Sequence, residues 1–250
     1  NYMLEGADTE NETGRMGILI PLDEDGNFAV IKLNDKNYKG KDYLDYADKM
    51  ARKAYFNKNN QDELDFMWYL WCGEKSPLSG RRIKTFERTF IDDKNAWNEP
   101  KNPYYDFYKD EKTCNMILHD FDMYSPMSHI INGHTPIRVT KGEKPVHANG
   151  KLIIIDGGFC KAYHDTTGIA GYTLIYNSYG LILAAHEPFE STEAAIEKES
   201  DIHSDSTVVK RTLERKKVED TDVGRHLKEQ IADLEVLLAA YRSGVIAERL

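Results

Sequence analysis

The segment Ile131-Asn132-Gly133-His134-Thr135-Pro136 places an imidazole directly after a short β-type run that ends in glycine. Glycine lets a backbone turn sharply and pass close to a ligand, and a neutral imidazole is a common metal ligand. His134 is therefore the candidate metal ligand, although a hydrogen-bonded structural histidine fits the same residues. His129 lies an odd number of positions earlier, which on a strand turns it to the opposite face. The next apolar run ends in Ile155-Asp156-Gly157-Gly158. An aspartate there can orient a ligating imidazole through a hydrogen bond, or it can cap a turn.

Phosphate chemistry has a second set of candidates. Arg81, Arg82, Lys84 and Arg88 in SGRRIKTFERTF form the densest local positive charge, and guanidinium forks match phosphate oxygens bidentately. A solvated basic loop is the plainer reading of the same cluster. Lys161 and Tyr163, which follow IDGGFC, would project near the same strand ends as His134, and Lys161 joins the substrate-binding candidates. Cys160 is set aside as a nucleophile because no neighbouring residue depresses its pKa. His147, His164 and His186 match no paired-ligand spacing and default to structural roles.

The elements that must position these residues follow from periodicity. GILIPL (17–22) and FAVIKL (28–33) flank the turn DEDGN and predict a β-hairpin. Apolar residues at Tyr43, Leu44, Ala47, Met50, Ala51 and Ala54 recur at three- and four-residue steps, predicting a helix over 41–56. Further helices are predicted over 61–71 and about 111–123. From His129 to His186 the pattern changes to short β-rich runs, namely HIIN, PIRV, KLIII, GYTLIYN and LILAAH. A strand over 207–213 and a helix opening after Asp220-Thr221-Asp222 complete the chain. This divides it into a hairpin, helical and loop region over 1–124 and a β-rich region with a terminal helix over 125–250, together forming one compact unit.

On that last helix Leu227, Ile231, Leu234, Leu238 and Tyr241 alternate steps of four and three, the spacing of a coiled-coil seam. Fewer than three heptads are present. Docking on the chain's own sheet is the expectation, and a dimer contact would use the same face.

Composition narrows the partners. The chain has 250 residues, 40% of them hydrophobic, enough for a proper core. Its 42 acidic and 33 basic side chains leave a formal charge of -9, which argues against nucleic acid as the main partner. Cys72, Cys114 and Cys160 are far apart and odd in number, so neither a disulfide framework nor a zinc cluster is indicated, and a cytoplasmic setting fits. Apolar runs such as LIII and LILAA are far short of a membrane span. The opening NYMLEGADTENETGR has neither an initiator Met nor the order of a signal peptide, and is expected to be an internal start.

Longer stretches then point to a family. NGHTP (132–136), ANGKLIIIDGGFCKAYHDTTGIAGYTLIYNSYGLIL (148–183), HEPF (186–189), DTDVG (220–224) and AYRSG (240–244) closely resemble class III fructose-1,6-bisphosphatases. IPLDEDGNF, FMWYLWCG, SPLSG and TFERTFI look like that family's middle region. The resemblance implies an α/β (α+β) fold, the carboxy-terminal part of a calcineurin-like metallophosphatase β-sandwich flanked by helices. It also implies a dinuclear manganese site with His134 as a ligand. The implied reaction is metal-dependent hydrolysis of the 1-phosphate of fructose 1,6-bisphosphate in gluconeogenesis.

Departures from the family pattern shape the expectation. The chain has no GDxxDRG or GNHE, no DxH in a matching context, and Met16-Gly17 where the family places His-Gly. One imidazole cannot hold two ions, so the chain is expected to be inactive alone and to lack the amino-terminal part of the site. The alternative is a non-catalytic regulatory module binding a nucleotide or sugar phosphate, with an AMP-type effector in view. An assembly subunit using the terminal helix, hence a homo-oligomer, is a third reading.

Overall fold

The computed structural model describes residues 2–4, 19–85, 90–133, 136–158, 164–168, 171–186, 191–197, 204–211 and 214–246. Among them strands β1 (Tyr2–Leu4), β2 (Ile31–Leu33) and β3 (Lys36–Tyr38) precede helices α1 (Gly40–Phe56), α2 (Gln61–Cys72), α3 (Tyr104–Phe107) and α4 (Glu111–Asp120). Next come β4 (His129–Asn132), β5 (Val146–His147), β6 (Leu152–Ile154), α5 (His164–Thr167), β7 (Gly171–Asn177), β8 (Gly180–His186), α6 (Thr192–Glu197), β9 (Ser204–Arg211) and α7 (Asp222–Arg242). The mixture of helices and sheets is the expected α/β class.

β1, β4, β6 and β5 form one sheet in that order, in which β4 and β6 are parallel and the outer pairings antiparallel. β7, β8 and β9 form a separate antiparallel sheet. β4 and β6 are buried along their whole length, as expected of strands covered on both faces. Ile130, Leu152, Ile153 and Ile154 share one apolar cluster with Tyr172, Leu181 and Leu183 of the second sheet. Cys114, Ile117 and Leu118 of α4, and Leu19, Ile20 and Leu22 from the first part of the chain, belong to the same cluster. The core thus draws on both sides of residue 124. No helix among the described residues is long and apolar enough to cross a membrane.

α1 buries Tyr43, Leu44, Ala47 and Ala54, the face its periodicity predicts. Its amino terminus is closed from a distance. Lys39 provides no side-chain cap, and the Asp120 carboxylate at the end of α4 accepts the Lys41 N–H at 2.5 Å. A negative charge there complements the orphan N–H groups and the helix dipole. α2 instead follows a local rule, with Asn60 accepting from the N–H groups of Asp62 and Glu63. α4 stops earlier than predicted because Asp122 adopts a positive φ of 61°.

Three expectations are corrected. The first hairpin reduces to a single bridge, Leu22 to Phe28, closed by Asp23 Oδ1 accepting the N–H groups of Asp25 and Asn27. The regular hairpin is β2–β3, because Asn34 and Asp35 both take positive φ and fold the chain back. PIRV is not a strand: the two edges of β6 are already taken by β4 and β5, and Val139–Lys141 closes a short turn instead. Among the described residues α7 is not docked on a sheet, since its seam residues are exposed.

Candidate functional site

Parallel pairing decides what lies near the exit of β4. Because β4 and β6 run in the same direction, with Asn132 opposite Ile154, their carboxyl ends emerge side by side. The Ile155 N–H donates to the Asn132 carbonyl at 2.9 Å, extending the pairing into the two exits. Ile137 donates its N–H to the Asp156 carbonyl at 2.9 Å. The described residues on both sides of the His134 position are therefore tied to the Asp156 loop. His134 itself lies outside the described residues, as do Arg88, Cys160, Lys161 and Tyr163.

Asp156 is half-buried, and its Oδ1 accepts the Gly158 N–H at 2.9 Å, with Gly158 at φ 74°. One carboxylate oxygen thus caps the turn. Lys151 supports the approach to β4. Its ammonium donates to the carbonyls of Ser125, Pro126 and Ser128 at 3.2–3.3 Å, gathering the turn that feeds the strand. Burial, then the charge of Lys210, lowers its pKa.

Sequence reading passed over Asn132. It is buried at the carboxyl end of β4, and its Oδ1 has no hydrogen-bond partner among the described residues. The available signal was its place inside the NGHTP run, since asparagine in a buried β-run needs polar company. His129 on the same strand is buried, with Nδ1 2.7 Å from the Gly150 carbonyl, and burial holds its pKa below the usual imidazole value. His147 is half-buried and shifted the same way, first by burial and then by Lys109. The ring Nε2 of His186 lies 2.7 Å from Thr173 Oγ1 on the facing strand. The Cys114 thiol is pushed up to about 12 by burial, and then by Asp110 and Glu111.

The basic cluster is stitched into its own neighbourhood. Arg82 forms a two-point pair with Glu24, at 2.6 and 2.9 Å, and its Nε donates to the Lys101 carbonyl. Arg81 donates from Nη1 to the Glu99 carbonyl at 3.1 Å, and Lys84 stands 3.7 Å from the Glu99 carboxylate. A phosphate at these cations would compete with two carboxylates already in place. Among the described residues no group of three or more His, Cys, Asp or Glu side chains is gathered closely enough to hold a metal ion. These residues therefore do not fit a dinuclear centre by themselves.

A mixed α/β scaffold in which Asn132 and the Asp156 loop lie at adjoining carboxyl ends of two parallel strands has the arrangement at which sheets of this class commonly bind ligands. Comparison makes this more particular. The family model for Firmicute fructose-1,6-bisphosphatase matches residues 17–243, and the chain belongs to that family. It is 53% identical over 236 residues to the class 3 fructose-1,6-bisphosphatase of Clostridium tetani (strain Massachusetts / E88), covering 92% of this chain and 36% of that protein. The class 3 enzymes of Clostridium botulinum (strain Hall) and Clostridium beijerinckii are each 54% identical over 234 residues, 92% of this chain and 35% of theirs. The chain spans about a third of the length of these curated relatives. No solved structure matches it.

Proposed function

We propose that these residues belong to a cytoplasmic fructose-1,6-bisphosphatase, a phosphoric monoester hydrolase that removes the 1-phosphate of fructose 1,6-bisphosphate in gluconeogenesis. Family membership supports the substrate. The observation that carries the placement of the site is the tie between the two strand exits, Ile155 to Asn132 and Ile137 to Asp156. In this reading His134 is a metal ligand, with manganese as the ion. The remaining donors lie in the further length that the relatives have and this chain does not span. Asp156, with one oxygen engaged by Gly158, is a positioning residue for the turn. The 250 residues alone are inactive.

The test uses the longest reading frame that contains these residues. Its product is expected to release phosphate from fructose 1,6-bisphosphate in the presence of Mn²⁺. His134→Ala is expected to lower kcat by roughly a hundred- to a thousandfold, comparable to losing another single stabilising group of a catalytic centre, and to lower the bound manganese. An intact product with no such activity, or a His134→Ala protein with unchanged activity and metal content, defeats the proposal. Turnover by the 250-residue chain alone would refute the incomplete-site part.

A further inference from the structure

α7 is a 21-residue helix, about 31 Å long at 1.5 Å per residue, and among the described residues it is buried only near its start, at Gly224. The Thr221 side chain accepts the Gly224 N–H, and Gly224 is buried against the Val218 backbone, where a Cβ would not fit. Beyond that point Leu227, Ile231, Leu234, Leu238 and Tyr241 are 42–62% exposed. Five large apolar side chains in a 4-3-4-3 spacing form a seam suited to another helix, since that alternation keeps one stripe facing a partner along its length.

We propose that α7 pairs with α7 of a second copy of this chain as a short antiparallel coiled coil. Assigning the seam to heptad positions puts Ile231 and Leu238 at a and Leu227, Leu234 and Tyr241 at d. In the antiparallel register Ile231 meets Leu234 of the other copy and Leu227 meets Leu238. That register places Lys228 opposite Glu235 twice, once on each side of the two-fold axis, because both occupy e positions. The parallel alternative sets Glu235 near Gln230 and Arg242 near Leu237, with no opposite charges paired. It would also place two tyrosines at one layer. The antiparallel pair carries the two bodies at opposite ends of the seam, since each is attached at the start of its helix, and it opposes the two helix dipoles. A two-fold contact of this kind is self-complementary, as symmetric dimers require.

The experiment is sedimentation of the 250-residue chain across a concentration series, with helix content followed by circular dichroism. Reversible self-association to twice the monomer mass is expected. Leu234→Lys, at an exposed position, is expected to keep the helix signal and to remain monomeric wherever the parent associates. Glu235→Lys turns two attractions into repulsions and is expected to weaken association roughly tenfold. The exchanged pair Lys228→Glu with Glu235→Lys restores it. The exchange also breaks the Lys228–Glu219 pair, at 3.2 Å, but that exposed contact lies outside the seam. A parent chain that stays monomeric overturns the proposal, as does a dimer indifferent to Leu234→Lys. Failure of the exchanged pair to recover association overturns the antiparallel register. In a longer product, protection of α7 within a monomer would show that the protein's own further length covers the seam, and would overturn the proposal likewise. None of these readouts depends on catalysis, so they stand apart from the test of the proposed function.

Discussion

Replacing Asn102 with alanine should unfasten two segments that its side chain holds together. The Asn102 side chain is buried, and its Oδ1 accepts the Leu22 N–H at 3.3 Å and the Tyr104 N–H at 3.0 Å. Its own N–H donates to the Gly80 carbonyl at 3.1 Å. The side chain therefore joins the end of the first bridge to the start of α3, while the backbone ties in the turn at Gly80. Alanine keeps the backbone bond but leaves two donors, on the buried residues Leu22 and Tyr104, without an acceptor. Each unsatisfied buried group costs about 1–3 kcal/mol, so the pair comes to about 2–4 kcal/mol, the longer bond contributing the smaller share. For a chain of this size that corresponds to a Tm lower by about 5–15 °C. Urea titration and thermal unfolding, both followed by circular dichroism, measure it. Asn102→Asp retains an acceptor oxygen for both N–H groups and should lose less than alanine at neutral pH. An alanine protein within about 0.5 kcal/mol of the parent would refute the claim that this amide holds the loops, because water would then be reaching both donors.

Three further outcomes are expected. Burial lowers the pKa of His129 and His147 below the ordinary imidazole value of 6.5, so the unfolded chain binds more protons than the folded one in the window just below that value. Stability should be fully present above pH 6.5 and fall as the pH drops through the folded pKa values, and His129→Gln should remove part of that slope in urea midpoints taken across pH. The Cys114 thiol acts at the other end: its pKa rises from 9.0 to about 12, so stability should decline as pH rises above 9.0, and Cys114→Ser should flatten that limb. Gly40→Ala should cost about 2–3 kcal/mol, because Gly40 has a φ of 49° and a Cβ there would strike the Asp120 carboxylate that caps α1. A Tm within a degree or two of the parent would show that the cap shifts freely.

Elements whose stability is local were legible in the residues alone. α1, α2, β4, β7 and β8 lie where periodicity puts them, within a residue or two of the expected bounds. The local cap of Thr221 marks the start of α7 and Asn60 that of α2, because a side chain next to a helix end needs no tertiary partner to accept its N–H groups. Candidate chemistry at NGHTP and at Asp156 was also visible, each as a polar residue after an apolar run.

Tertiary structure decided the rest. Which strands are neighbours is set by long-range hydrogen bonding, and only the parallel β4–β6 pairing brings Asn132 and Asp156 to one edge. PIRV has strand-like residues, yet β5 occupies the edge it would have used. Arg81, Arg82 and Lys84 read as a basic loop open to phosphate, until Glu24 and Glu99, remote in sequence, supply counter-charges to Arg82 and Lys84 and the Glu99 carbonyl accepts from Arg81. The cap of α1 comes from Asp120, 79 residues away. Apolar spacing shows that α7 has a face to bury but is silent on what covers it, because burial is a property of the surroundings and a helix pattern encodes only one side of the contact.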